Sequence, residues 1–160
     1  MKTPIQQIAF KLINTQATNV QFDIYTDFVH SKKSDQIILK LMHEVYYSNE
    51  DLKKFIVVFD VSVESKLKIF ELNLTFKALF ETLEEITPEF KQSSFVEKSA
   101  PAITFPFIRA FIANFSVNAG LKAIMLPPIN FVTDPISEDK ELIERALKMI
   151  SKKPLKKKKK

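Results

Sequence analysis

The side chains that usually carry catalysis or bind metals are few in this sequence, and their spacing forms no recognisable site. The two histidines, His30 in a polar segment and His43 in an apolar alternation, do not have the spacing of metal ligands. The chain has no cysteine, and its single glycine excludes the common phosphate-binding loops. The acidic pairs at 84–85 and 138–139 lie in polar sequence beside predicted helices, where solvated carboxylates are typical. We therefore predict no catalytic residue, no metal site and no cofactor.

The chemistry that the sequence does offer is apolar contact, and it is concentrated in residues 99–131. Arg109 and Lys122 are the charged residues of this stretch, which is otherwise rich in phenylalanine, isoleucine and alanine. Because an unpaired buried guanidinium would be strongly destabilising, we expect Arg109 to bind a carboxylate or a backbone carbonyl. Broad apolar area without a catalytic constellation favours a protein that binds apolar material.

The first half of the chain has the two-residue period of β-strands. Residues 10–24 carry apolar side chains at even positions around the polar stretch NTQAT, which predicts a long strand with a bulge or bend near Gln16. Residues 37–47, 55–63 and 69–76 alternate in the same way, and the short connections between them predict antiparallel neighbours.

After the fourth predicted strand the period changes to that of helices. Thr87-Pro88-Glu89 predicts the start of a short helix, with a capping hydroxyl before a proline. From about residue 100 the apolar residues recur at helical spacing up to Gly120, and Pro106 is expected to disturb the first turns. A double proline then predicts an extended loop over 121–131, and Ser137 is the predicted N-cap of a last helix.

The formal net charge of +5 is concentrated at the end of the chain. Seven of the 24 basic residues lie in 152–160, so residues 1–151 retain 17 basic against 19 acidic groups, a net charge of −2. A run of like charges has nothing to bury, which predicts one domain over 1–151 followed by a disordered lysine-rich tail over 152–160. We interpret the tail as solvated, with a tether to an anionic surface as the alternative.

The sequence predicts neither export nor membrane insertion of this chain. The N-terminal residues lack the basic region and apolar run of a signal peptide, and no cysteine is available for disulfides. Charged and amide residues interrupt the apolar stretch before it reaches the ~18 residues of a membrane span. We therefore predict a cytoplasmic protein with no stable membrane insertion.

The order and spacing of several motifs resemble those of the SecB export-chaperone family. Phe-Pro-Phe-x-Arg at 105–109 is followed by Gly120 and then by Leu-Pro-Pro-Ile-Asn-Phe at 126–131. The resemblance covers roughly residues 8–150 and is sharpest over 104–131. The residues that carry it are Phe10, Leu12, Val20, Gln21, Phe22, Asp23, Phe105, Pro106, Phe107, Arg109, Gly120, Leu126, Pro127, Pro128, Ile129, Asn130 and Phe131.

This resemblance implies an α+β fold, in which a four-stranded antiparallel sheet has two principal helices packed on one side. It also implies a homotetramer, a dimer of dimers, that holds unfolded preproteins in long apolar grooves without nucleotide or metal. In that family the client is kept unfolded for the translocation motor SecA. The expected function is therefore that of an ATP-independent holdase.

Residues of the apolar helix and the extended loop are the candidates for contact with clients. A holdase binds many sequences, so it needs broad apolar and aromatic area with adaptable side chains rather than one specific pocket. Aromatic residues at helical spacing more often belong to the core or to a subunit interface, an interpretation that applies to Phe111 and Phe115. The candidates are Phe105, Phe107, Phe111, Phe115, Met125, Leu126, Ile129 and Phe131.

The resemblance also implies two SecA-docking positions on the first strand, Asn19 and Asp23. Family members that dock SecA carry acidic side chains there, whereas this chain has one amide and one acid. The missing charge weakens the expectation that SecA is a partner. A solitary SecB-like stress or toxin–antitoxin chaperone is the alternative.

Two other classes of binding protein would use parts of the same sequence. A nucleic-acid-binding protein would use the lysine tail, but residues 1–151 show no basic face with interleaved aromatics, so we expect no nucleic-acid partner. A carrier of a small hydrophobic ligand would use the same apolar groove as a chaperone.

Overall fold

The structure, a computed structural model, describes residues 10–26 and 35–132. Its four strands are β1 (Phe10–Ile24), β2 (Ile37–Tyr47), β3 (Lys54–Ser65) and β4 (Phe70–Thr82). All neighbours are antiparallel, and the order β1-β4-β3-β2 places β1 and β2 at the two edges. Helical segments pack on one side of this sheet, which confirms the α+β fold expected from the sequence.

Alternating side chains divide the sheet into a buried face and an outer face. Every second residue of β3 and β4 is buried along almost the whole length of both strands. In-register pairing places Phe55 opposite Phe80 and Phe59 opposite Phe76, so the bulky apolar side chains share one face. Burial of this face removes its apolar side chains from water, which stabilises the central pair of strands.

Strand β1 keeps one apolar face over 15 residues because it contains two bulges. The register with β4 shifts between Leu12 and Asn14 and again between Ala17 and Asn19. A single bulge reverses which side chains of the strand face the core, and the second bulge restores the original alternation. The even-numbered apolar residues therefore stay on one face, and the irregularity predicted near Gln16 is a pair of bulges that flanks it.

Helical structure follows β4, in the segments α1 (Pro88–Lys91), a π-helical turn (Phe95–Ser99) and α2 (Ala100–Asn118). The Thr87 hydroxyl oxygen accepts a hydrogen bond from the Phe90 amide at 3.2 Å, which confirms the predicted cap of α1. The disturbance predicted at Pro106 is not observed, since α2 continues through it. Pro106 and Ala102, whose carbonyl the proline cannot bond, are both exposed, so water can satisfy that carbonyl.

Helix α2 ends in a Schellman motif at the chain's only glycine. Gly120 has a φ of +87°, and its amide donates to the Val117 carbonyl at 3.0 Å. The Leu121 amide donates to the Ser116 carbonyl, also at 3.0 Å. These two bonds satisfy the last carbonyls of the helix and turn the chain back. The following residues 121–131 have no regular secondary structure, in agreement with the predicted extended loop.

Some predictions differ from the structure or lie beyond the part of the chain it describes. Strand β4 continues past its predicted end at Phe76, because Ala78 and Phe80 extend the buried alternation of a central strand. The helix predicted after Ser137 and the lysine tail lie outside the described residues. The division into one domain and a tail therefore stays a prediction.

The helical stretch Phe95–Asn118 is 24 residues long and, by length and composition alone, apolar enough to cross a membrane. The sequence predicted no span, because charged and amide residues interrupt the stretch. In the fold, Ile108 and Ile112 of this helix are fully buried in the hydrophobic core. A helix that covers a sheet needs such an apolar stripe, so core packing accounts for the buried residues of this helix.

Candidate functional site

The loop 121–131 runs back along α2, antiparallel to it. The Ile124 amide donates to the Ser116 hydroxyl oxygen at 2.9 Å, near the end of α2. Arg109, one to two turns earlier in the helix, donates from Nε to the Leu126 carbonyl oxygen at 3.0 Å. The loop is therefore held against one flank of α2, and the backbone carbonyl expected as a partner of Arg109 is that of Leu126.

The end of the loop packs over the centre of strands β2 and β3 through Phe131. The Phe131 ring lies 6.2 Å from the ring of Phe59 and 6.3 Å from that of His43, in edge-on arrangements. On its other side it contacts Phe105 of α2, with ring centroids 5.7 Å apart. These ring contacts hold the helix, the loop and the sheet together, and each contact adds to the stabilisation gained from burial.

His43 lies in this aromatic cluster with one ring nitrogen unpartnered. Its Nδ1 atom is buried and, among the described residues, has no hydrogen-bond partner. Burial lowers the pKa of His43, and a hydrogen bond to the backbone of Glu97 opposes this effect. This ring is therefore packed among aromatic side chains, with its Nδ1 atom lacking a hydrogen-bond partner among the described residues.

Three of the predicted client-binding residues are part of the core. Phe105, Leu126 and Phe131 have exposed fractions of 3%, 1% and 7%. Phe105 faces the sheet from α2, and the other two point inward from the loop. Their contact with a client would require the loop to move, so in this conformation they support the loop.

Two predicted residues of the loop lie at the surface. Met125 is 68% exposed, and Ile129 is half-buried against the core. Met125 points away from the protein because its neighbour Leu126 points inward, as expected for an extended backbone.

The three remaining predicted residues lie on the opposite flank of α2, beside β1 and β4. Phe111 contacts Phe76 at 6.1 Å, and Phe115 meets Phe22 edge-on at 5.3 Å. Phe111 and Phe115 are half-buried, with their rings stacked 5.8 Å apart. Phe107, one turn before Phe111, is 45% exposed. We call Phe107, Phe111 and Phe115 the helix stripe.

The eight predicted residues are thus not brought together into one groove. The helix stripe faces the β1 edge of the sheet, whereas the loop lies over the β2 edge. Helical spacing places the aromatic residues on one continuous stripe, but it does not show which flank the loop covers. The missing information is the direction of the loop, which Arg109 and Ser116 determine.

Strand β2 contributes apolar residues that the candidate set omitted. Ile37 and Leu39 lie on the same sheet face as His43, near the start of β2, and both are half-buried. We define the loop surface as Ile37, Leu39, Met125 and Ile129. The two-residue alternation of β2 could have identified these residues, but it does not show whether a strand lies inside the sheet or at its edge.

The outer edge of β2 also presents backbone hydrogen-bonding groups. The Lys66 amide donates to the Gln36 carbonyl at 2.8 Å, and the Ser48 amide donates to the Lys54 carbonyl at 3.1 Å. The register between these bonds has no shift, so even-numbered residues of β2 bond to β3. The amides and carbonyls of odd-numbered residues, including Leu39, therefore point to the edge of the described sheet.

The two predicted SecA-docking positions lie on the outer face of the sheet. Asn19 pairs with Thr75, and Asp23 pairs with Glu71; both predicted residues are exposed. The next strand places Glu64 opposite Glu71, so three carboxylates form a row across β1, β4 and β3. The Tyr25 hydroxyl donates to Glu71 at 3.0 Å, which partly satisfies the centre of this row.

A second acidic group lies further along the outer face. The Thr75 hydroxyl donates to Asp60 at 2.8 Å, yet burial is the stronger effect and raises the pKa of Asp60. The hydroxyl of Tyr46 donates to Glu44, and this bond raises the pKa of Tyr46 to about 12. Over residues 10–26 and 35–132, no group of three histidine, cysteine or acidic residues is arranged to hold a metal ion.

Comparison with known protein families gives one match that covers most of the chain. Residues 5–133 match the family model of SecB, described as a preprotein translocase subunit. An uncharacterized protein of Methanocaldococcus jannaschii is 26% identical over 126 residues, which cover 76% of this chain and 79% of that protein.

Two relatives are protein-export proteins named SecB. That of Rickettsia bellii is 32% identical over 71 residues, covering 44% of this chain and 45% of its own length. That of Neorickettsia sennetsu is 35% identical over 86 residues, covering 47% and 51%. The chain thus spans about half the length of these SecB relatives.

The solved structures with a similar fold include a chaperone–peptide complex. It is the SecB-like chaperone of Mycobacterium tuberculosis in complex with a ChAD peptide from the HigA1 antitoxin. The TM-score is 0.62 at 13% sequence identity, covering 75% of this chain and 89% of that one. At this identity the likeness shows the fold.

Proposed function

The chain belongs to the SecB family, and from this premise we propose that it is a cytoplasmic, ATP-independent holdase for unfolded preproteins. The family match and the SecB-like fold support a chaperone role rather than an enzymatic one. The solved relative is a chaperone bound to a peptide, which supports polypeptide as the class of ligand. The observation that carries the proposal is the loop surface, which combines the exposed Met125 with half-buried apolar side chains of the loop and of the edge strand β2.

The loop surface suits a client that is extended and apolar. Met125 supplies a flexible, polarisable side chain that adapts to different partners, as expected of a surface that binds many sequences. An extended segment beside β2 would bond to the edge amides and carbonyls while its alternate side chains contact Ile37 and Leu39. Backbone bonds are independent of sequence, so this mode favours unfolded chains in general.

The buried area on such a surface is sufficient for useful affinity. Apolar contact contributes ~25 cal/mol per Å2, so a few client side chains supply several kcal/mol. Micromolar binding corresponds to about −8 kcal/mol, which two or more such surfaces in one oligomer reach through linked binding. Multiple weak contacts would thus replace one specific pocket.

The helix stripe and the outward side of α2 support assembly into a homotetramer, a dimer of dimers. Phe107 and Val117 are about half exposed on a helix whose described outward residues carry no charge other than Arg109. Exposed apolar area of this kind marks a protein interface more often than a solvated face. Assembly would cover the stripe and leave the loop surface, on the other flank, for clients.

SecA is the proposed partner at the outer face of the sheet. Asp23, with Glu71 and Glu64 beside it, offers negative charge to a basic surface, although Asn19 lacks the charge that SecA-docking relatives carry. The alternative is a SecB-like chaperone that acts without SecA, for which the neutral Asn19 is the specific observation. Measuring SecA binding to the full-length protein and to Asn19→Asp separates the two, because restored charge strengthens docking only if this face is used.

The holdase proposal is tested by the aggregation of a chemically denatured client without nucleotide. We expect the full-length protein to suppress light scattering, and Met125→Ser to require a severalfold higher concentration for the same protection. Leu83→Ser is the matched control, because Leu83 is 71% exposed and lies outside the loop surface. Equal protection by both variants would contradict the assignment of the surface.

The same preparation distinguishes a chaperone from a carrier of a small hydrophobic ligand. Native mass spectrometry of the purified protein would show a bound small molecule for a carrier. Unchanged scattering of the client at equimolar protein would contradict the holdase function itself.

A further inference from the structure

Of the two histidines, His43 belongs to the described residues, and it lies on the buried face of the sheet rather than at the surface. It pairs with Phe59 across β2 and β3, and the two ring centroids are 5.5 Å apart. Phe131 meets both rings nearly edge-on from the loop. A titratable ring therefore forms part of the contact surface for the end of the loop 121–131.

The surroundings of His43 favour its neutral form. Its Nδ1 atom is buried and has no hydrogen-bond partner among the described residues, and burial lowers the pKa of the ring more than the Glu97 backbone raises it. Protonation gives the imidazole two N–H donors and a full charge. Within this aromatic cluster the charge would be buried, and an N–H group at Nδ1 would have no partner among the described residues.

The charged groups of the surrounding elements do not compensate such a charge. The side chains of Glu89 and Glu97 are exposed, and no carboxylate contributes to the pKa of His43. The cations Arg109 and Lys91, which contact the Leu126 carbonyl and the Tyr47 ring, cannot compensate a positive charge. Charged residues of β2 and β3 lie on the outer face of the sheet, opposite to His43. The titratable and charged residues on the elements packed around this face are Tyr47 of β2, Glu89 and Lys91 of α1, Glu97 and Lys98 of the π-helical turn, Arg109 of α2 and Lys122 of the loop.

The two halves of the loop are held by different interactions. Its first half is tied to α2 by the hydrogen bonds of Ile124 and Leu126. Its end is placed by the ring contacts of Phe131 with Phe59, Phe105 and His43. A change at His43 therefore acts on the end of the loop while the first half stays bound.

We propose that His43 makes the docking of Phe131 dependent on pH, so that protonation of Nδ1 displaces the end of the loop from β2 and β3. Displacement gives Nδ1 access to water as an acceptor and uncovers the apolar ring of Phe59. The uncovered area adjoins Ile129 and so enlarges the loop surface. This last consequence rests on the proposed holdase function, whereas the displacement itself does not.

The displacement is tested by nuclear magnetic resonance on the full-length protein with 13C-labelled phenylalanine and histidine rings. Between about pH 7.5 and about pH 5.5, the Phe131 ring signals should shift with the same midpoint as the His43 signals. The variant His43→Gln keeps a polar side chain at this position but does not titrate, and its Phe131 signals should stay constant. His30→Gln is the control and should behave as the unsubstituted protein.

Two outcomes of these spectra would decide against the proposal. Phe131 signals that stay constant while His43 titrates would overturn it, as would an unchanged Phe131 transition in His43→Gln. If that variant does not fold, His43→Leu provides a second chain that cannot titrate. In the scattering assay, lowering the pH should improve protection of the client severalfold more in the unsubstituted protein than in His43→Gln. Absence of protection at every pH would reject the holdase function, whereas the spectra would still test the displacement of the loop.

Discussion

The Nε atom of Arg109 donates a hydrogen bond to the carbonyl oxygen of Leu126 at 3.0 Å, which fixes the middle of the loop to the middle of α2. A proline follows Leu126, so this backbone has fewer amides with which to bond to its neighbours. The guanidinium supplies the missing donor and is itself satisfied in a half-buried position. The position of Met125 at the surface follows from this contact, because it precedes the anchored residue.

Replacing Arg109 by methionine should destabilise the protein without removing apolar contact. The substitution leaves the Leu126 carbonyl without its donor, and an unsatisfied buried group costs about 1–3 kcal/mol. Urea denaturation should show this loss in the free energy of unfolding. Lys122→Met, an exposed change in the same loop, is the control and should stay within about 0.5 kcal/mol.

The neighbours Leu126 and Met125 should separate stability from client binding. Leu126→Ala removes a fully buried side chain and should lower the free energy of unfolding by about 2–5 kcal/mol. Met125→Ala should change it by less than about 0.5 kcal/mol while weakening protection of a denatured client. Thermal unfolding and the scattering assay give both quantities; similar destabilisation by the two variants would contradict the burial described here.

The sequence predicted the sheet well because each strand carries its own alternation. In β1 the even-numbered pattern survives because two bulges cancel, so Leu12 and Phe22 stay on the covered face. The cap at Thr87 and the helix end at Gly120 were also predictable, because both depend on local hydrogen bonds.

The candidate site was only partly predictable, because side-chain exposure depends on contacts that are distant in sequence. Met125 and Leu126 are adjacent apolar residues, and the bonds of the loop to Arg109 and Ser116 of α2 determine which one is buried. Likewise, the strand order that places β2 at an edge cannot be derived from alternation alone. Local pattern thus predicts the elements, and long-range packing decides which of their apolar residues remain available.

Placing a charge in the helix stripe should disrupt assembly. Phe107→Asp puts a carboxylate in an apolar area that is 45% exposed in the single chain, and burying it in an interface would be strongly unfavourable. Light scattering after size-exclusion chromatography should show a lower mass than for the unsubstituted protein. Leu52→Asp introduces the same charge at another exposed leucine and should leave the mass unchanged.

The outer-face carboxyl of Asp60 should lower stability at neutral pH. Burial raises its folded-state pKa above the unfolded value, so its ionised form is disfavoured in the fold and stability rises as pH falls through that pKa. Asp60→Asn keeps an acceptor for the Thr75 hydroxyl and should raise the free energy of unfolding at pH 7 by less than about 1 kcal/mol. A loss of stability on this substitution would show that the ionised carboxylate is favourable there.

The free energy of unfolding should also fall in mild acid, because burial of His43 disfavours its protonated form in the fold. Its folded-state pKa is lowered, so unfolded chains take up a proton first, near the ordinary pKa of about 6.5. The contribution is fully present above that pH and is lost as pH falls toward the folded pKa. Urea titrations of the unsubstituted protein and of His43→Gln at a series of pH values give the difference between their free energies of unfolding. The effects of His30 and of the carboxyl groups are common to both proteins and cancel in this difference. The difference should shrink as pH falls below about 6.5; a difference that does not vary with pH would mean that His43 is equally protonated in the folded and unfolded chains.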